Sequence, residues 1–103
     1  MTRLEQLQQY YDEDPHDPFN AYGLALEVSK SDPLRAAELF ERLLEQHPTY
    51  VPAYYQAAKL YESLERSDRA IQIYKQGIGH SKKQNEFKAL RELQSALDEL
   101  IYE

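Results

Sequence analysis

An all-α fold of stacked helical hairpins is what this sequence predicts, and three observations carry the prediction. Ala36, Phe40 and Leu43 recur 34 residues later as Ala70, Tyr74 and Gly77. Phe19, Tyr22, Gly23 and Leu26 recur 35 residues later as Tyr54, Ala57, Ala58 and Tyr61. An internal period of this size marks stacked units, none of which can bury its apolar face alone. The third observation is the spacing of apolar residues, which follows the helical period and leaves no convincing strand.

The elements can be justified in order. Leu4, Leu7 and Tyr11 share one face of a first helix over residues 2–12. The run Asp12-Glu13-Asp14-Pro15-His16-Asp17-Pro18 ends it, because two prolines restrict the residues before them and remove amide donors. Asp17 caps the second helix and Pro18 opens it; the helix runs to Ser29. Asp32 and Pro33 repeat that device for a third helix, which His47-Pro48 stops after Gln46. Pro52 opens a fourth helix reaching Leu64. Ser67 is the expected cap of the fifth, with Asp68 in its first turn, and Gly77 and Gly79 weaken that helix. The polar run Ser81-Lys82-Lys83-Gln84-Asn85 reads as the next turn. The last helix, 86–102, carries a narrow stripe of Phe87, Leu90, Leu93, Leu97 and Leu100.

Composition limits the function classes. A chain of 103 residues is one domain at most, and 42% apolar with 29% charged residues suffices for a core and a solvated surface. A formal net charge of −6 argues against nucleic acid and against anionic membrane surfaces as partners. No cysteine is present, which excludes disulfides, zinc–thiolate sites and a thiol nucleophile. The start, Met1-Thr2-Arg3-Leu4-Glu5-Gln6, turns polar at once, and no window has the length of a membrane span. A cytoplasmic location is the resulting expectation.

The repeated positions resemble the tetratricopeptide repeat. Its pattern sets an aromatic, an apolar, a small and an aromatic residue in a first helix, then a small residue and an aromatic in a second, with proline after. The second unit here reads Tyr54, Ala57, Ala58, Tyr61, Ala70, Tyr74, and the first reads Phe19, Tyr22, Gly23, Leu26, Ala36, Phe40, Pro48. In that alignment the first unit has one extra residue in its inter-helix turn, near Ser31-Asp32-Pro33. Leu7, Tyr10 and Pro15 lie 33 residues before Phe40, Leu43 and Pro48, so the first helix resembles half of a further, degenerate unit. The resemblance implies a right-handed stack: a half-unit at 1–15, repeats at 16–50 and 51–84, and a capping helix at 85–103.

In this family the first helices line a concave groove. By resemblance the groove residues are Asn20, Leu24 and Glu27 in one unit and Tyr55, Lys59 and Glu62 in the next. Tyr22, Tyr54, Tyr61 and Tyr74 fall instead on packing positions. Some members clamp a terminal carboxylate with a lysine and an asparagine one turn apart. The matching positions here are Asn20 and Leu24, so that activity does not carry over. His16, His47 and His80 are scattered and form no metal set. Asp12-Glu13-Asp14 lacks the loop spacing that calcium needs, and Gly77-x-Gly79 has no strand before it. No catalytic constellation and no cofactor motif can be assembled.

The expected function is therefore a non-enzymatic protein–protein interaction module, a scaffold presenting a small groove to a peptide or helix of a partner protein. The alternative is a self-assembling structural protein that forms a weak homodimer through the C-terminal stripe, whose spacing approaches that of heptad a and d positions.

Overall fold

The computed structural model describes residues 1–102, and among these every regular element is an α-helix. The helices are α1 (Arg3–Glu13), α2 (Pro18–Ser29), α3 (Pro33–Gln46), α4 (Pro52–Ser63), α5 (Ser67–Lys83) and α6 (Phe87–Ile101). They gather into two compact units, one ending at His47 and one beginning at Pro48.

In the first unit α2 packs against both α1 and α3. Helix α1 opens with a capping box. Thr2 Oγ1 accepts from the Glu5 amide, and the Glu5 carboxylate accepts from the Thr2 amide, each at 3.1 Å. Those bonds hold the Glu5 carboxyl below its ordinary pKa. Leu7 is the side chain α1 buries, with Leu4 and Tyr11 half-buried. Arg35 Nη2 donates to Gln8 at 3.0 Å and Arg42 Nη1 to the Tyr11 hydroxyl at 3.3 Å, tying α1 to α3. Asp17 and Asp32 cap α2 and α3 as expected, each helix opening on its proline.

The second unit is built around α5, which packs on α4 and on α6. Ala58, Ala70, Ile73 and Tyr74 are fully buried there. The Tyr54 hydroxyl donates to the Pro48 carbonyl at 2.6 Å, and its ring stacks on His80 at 5.6 Å. Gln84 Nε2 donates to the Thr49 carbonyl at 3.0 Å, so the segment entering α4 is held from α5.

Four expectations are corrected by the packing. Phe19 is 70% exposed, and α2 instead buries Ala21, Leu24, Ala25 and Val28. These match Tyr54, Ala57, Ala58 and Tyr61 at an offset of 33, so the register of α2 shifts by two residues. The first inter-helix segment is therefore not longer than the second: 30–32 and 64–66 are equal, and only the step between matching buried positions is one residue shorter in the first unit, Val28 to Ala36 against Tyr61 to Ala70. The reason lies in the second segment, where Glu65 adopts φ 58° in a left-handed C-terminal turn closed by the Arg66 amide on the Tyr61 carbonyl at 2.9 Å. The α2–α3 segment contains no such residue: Lys30 is helical and Asp32 lies at φ −143°, ψ 77°. Second, Ser67 is not a cap. It is already helical, and Arg66 at the cap position makes no side-chain bond to the helix. Third, Ser81–Lys83 continue α5, and Ser81 is buried rather than in a turn; Asn85, at φ 58°, makes the turn. Fourth, the stripe of α6 is only partly covered. Leu93 and Leu97 are buried with Ala96, Leu90 and Leu100 are half-buried, and Phe87 is 57% exposed.

Glu65 is a branch point for stability. A left-handed conformation costs a residue with a Cβ about 1–2 kcal/mol, part of which glycine returns as unfolded-chain entropy. Glu65→Gly should therefore stabilise the chain by about 0.5–1 kcal/mol. A thermal melt checks this, with a rise of a few degrees expected and a fall counting against the geometry.

Candidate functional site

Tyr55 and Lys59 lie one turn apart on α4 and share a face. Lys59 Nζ sits 5.7 Å from the centroid of the Tyr55 ring, within the range of a cation–π contact. The same ammonium lies 3.6 Å from Glu62 Oε2. That oxygen also accepts a hydrogen bond from the Tyr74 hydroxyl of α5. Tyr74 in turn meets Tyr55 edge-to-face, with centroids 6.5 Å apart and planes at 68°.

The cluster is rooted in the core and open at its outer side. Tyr74 is fully buried, whereas the side chains of Lys59 and Glu62 are 40% and 26% exposed. Burial pushes the Tyr74 phenol far above its ordinary range, reinforced by the hydrogen bond to Glu62 and by the negative charges of Glu62 and Glu99. Tyr74 therefore stays a donor and fixes the Glu62 carboxylate, which in turn steadies Lys59. The arrangement presents an aromatic face, an ammonium and a carboxylate in fixed relation. Among these four side chains there is no nucleophile paired with a base.

The three residues expected in the first unit do not form a matching patch. Leu24 is 0% exposed and belongs to the core. Asn20 spends its side-chain amide on the Tyr10 and Asp14 carbonyls, at 3.2 and 3.3 Å, closing the end of α1. Glu27 is paired with Lys30 at 3.0 Å. The two-residue shift of α2 explains all three: the offset of 33 carries Tyr55 and Lys59 onto Tyr22 and Leu26, both half-buried. Sequence reasoning also left Tyr74 out of the site by treating it as core alone. The signal was available, since Glu62 and Tyr74 are the polar and aromatic residues facing each other across the α4–α5 hairpin.

A family model described as the tetratricopeptide repeat matches residues 28–97 of the chain. The chain belongs to the tetratricopeptide repeat family. Similar solved structures agree with this. The solution structure of a tetratricopeptide repeat domain protein from Salinibacter ruber is 48% identical, with a TM-score of 0.80, over 84% of this chain and 89% of that one. A crystal structure of a tetratricopeptide repeat domain protein from Salinibacter ruber is 47% identical, with a TM-score of 0.76, over 82% and 94%. The crystal structure of MamA shares the fold at a TM-score of 0.68 and 18% identity, over 96% of this chain and 65% of that one. No curated protein sequence matches. Tetratricopeptide repeats generally mediate protein–protein interaction and are typically non-catalytic. Among the described residues no helix is long and apolar enough to cross a membrane, and no group of three or more histidine or acidic side chains is placed to hold a metal ion.

Proposed function

We propose that this chain is a non-enzymatic scaffold of the cytoplasm whose α4 face binds a peptide or helix of a partner protein. The observation that supports the reading is the Tyr55–Lys59–Glu62 patch, half-exposed and fixed from beneath by Tyr74. A preorganised aromatic beside a charge is the composition of binding hot spots, since little side-chain freedom is lost on contact. Tyr22 and Leu26 on α2 supply the equivalent face of the first unit, apolar where α4 is charged. The occupant that suits α4 carries an acidic side chain for Lys59 and an apolar one for the Tyr55 ring.

A random peptide library displayed on phage supplies the probe. A peptide enriched on the full chain should lose about tenfold or more in affinity on Tyr55→Ala or Lys59→Glu, a loss above about 1.4 kcal/mol. Lys75→Glu, on the exposed side of α5, should leave affinity unchanged. Equal affinities for all three variants contradict the assignment.

A further inference from the structure

We propose that α6 of one copy docks against α1 of a second copy, joining chains head to tail. This inference does not depend on the α4 patch. Of the large apolar side chains that helices leave exposed, Tyr10 lies on α1 and Phe87 and Ile101 on α6, the others being Phe19 on α2 and Leu34 on α3. Phe87 is 57% exposed and Ile101 43%, and with half-buried Leu90 they lie within roughly 60° of one another around α6, at about 100° per residue. On α1, Tyr10 is 48% exposed. Its counterparts at the repeat period are buried: Leu43 of α3 is 1% exposed, and Gly77 of α5 lies against Tyr54 of α4, the first helix that precedes it. Tyr10 thus occupies a position that elsewhere in the chain meets a first helix, and α6 occupies the place of a first helix after α5.

Charge fits this pairing and sets its direction. Beside the apolar stripe of α6 stand Arg91 in the first half and Asp98 in the second, both exposed. Beside Tyr10 on α1 stand Arg3 at the start and Glu13 at the end, both exposed. The α2–α3 and α4–α5 hairpins bring the start of one helix beside the end of the next. Paired in that sense, α6 places Arg91 beside Glu13 of the second copy and Asp98 beside its Arg3. The surroundings agree: Lys82, Lys83 and Lys88 flank the start of α6, and Asp12 and Asp14 flank the end of α1. The whole chain is divided likewise. Residues 1–47 hold ten acidic and four basic side chains, the remainder eight of each. The contact uses two different surfaces, so it propagates from copy to copy rather than closing on a two-fold axis. Four apolar side chains, Tyr10 with Phe87, Leu90 and Ile101, and two ion pairs make it weak and salt-sensitive.

Sedimentation equilibrium of the full chain tests the proposal. At about 0.1–1 mM and low salt the average mass should rise above the monomer's 12.1 kDa, and about 1 M salt should reverse the rise. Arg91→Glu with Asp98→Lys reverses the α6 charges, and Arg3→Glu with Glu13→Lys reverses those of α1; neither pair alters net charge. Each doubly substituted chain should remain monomeric alone, and an equimolar mixture of the two should associate again. Recovery in the mixture also shows that both variants fold. A native chain that stays monomeric throughout overturns the proposal. Association that the α1 substitutions leave untouched also overturns it, since two α6 helices are then pairing with each other.

Discussion

Gly77→Ala is expected to destabilise the chain by roughly 1–3 kcal/mol or more, while Gly79→Ala, two residues on, stabilises it by about 0.5–1 kcal/mol. Both glycines lie in α5, and both replacements gain helix propensity. The difference is space. A Cβ on Gly77 would stand 2.6 Å from Tyr54 Cβ, 2.9 Å from Tyr54 Cγ and 3.1 Å from Leu93 Cδ1. The nearest atom is the root of a side chain whose hydroxyl is bonded to Pro48 and whose ring stacks on His80, so Tyr54 cannot swing aside. Helices α4 and α6 would have to separate from α5. A Cβ on Gly79 meets nothing within 4 Å. Thermal melts should move in opposite directions, by about 4–8 °C per kcal/mol in a domain of this size. Two shifts of the same sign would contradict the packing of α4, α5 and α6.

Alkaline pH is expected to unfold the chain through its tyrosines, and Tyr74→Phe to blunt the effect. Burial raises the phenols of Tyr22, Tyr54 and Tyr74, most strongly Tyr74 beside Glu62. Above about pH 10 the unfolded chain releases these protons while the folded chain keeps them. The unfolded state then binds fewer protons, so stability falls as pH rises; the contribution is complete below about pH 10 and is lost above it. At neutral pH Tyr74→Phe should cost about 1–3 kcal/mol, because it leaves the part-buried Glu62 carboxylate without its donor. Above about pH 10 that deficit should shrink, since phenylalanine has no proton to lose. Urea midpoints from neutral pH to about 11 measure it, and parallel curves for the two proteins would show that Tyr74 ionises freely.

Much of this fold was legible because its signals are local. Proline after aspartate marks the starts of α2 and α3, and small residues paired with aromatics mark the buried faces of α4 and α5. The face of α2 was harder to read. That helix is apolar nearly all round, so periodicity does not single out its buried side, and Phe19 drew the register two residues towards an aromatic that faces solvent. The one-residue difference between the units, counted from one matching buried position to the next, depends on a left-handed Glu65, a conformation its residue type does not announce. The candidate site divides along the same line. Tyr55, Lys59 and Glu62 sit on a helix whose register was correct, and the structure brings them together. Asn20, Leu24 and Glu27 sit on the helix whose register was not. The uncovered edge of α6 was missed because Phe87 keeps the helical spacing of the stripe although the helices beside it leave it open.

The claim that α4 carries the binding face is tested most directly by nuclear magnetic resonance. Amide shifts of the nitrogen-labelled full chain would be followed while an enriched peptide is added. The account predicts the largest changes at Tyr55, Lys59 and Glu62, with the neighbouring amides of α4 moving in step. Changes that leave α4 still and fall instead on exposed α5 residues such as Lys75 and Gln76 would contradict it.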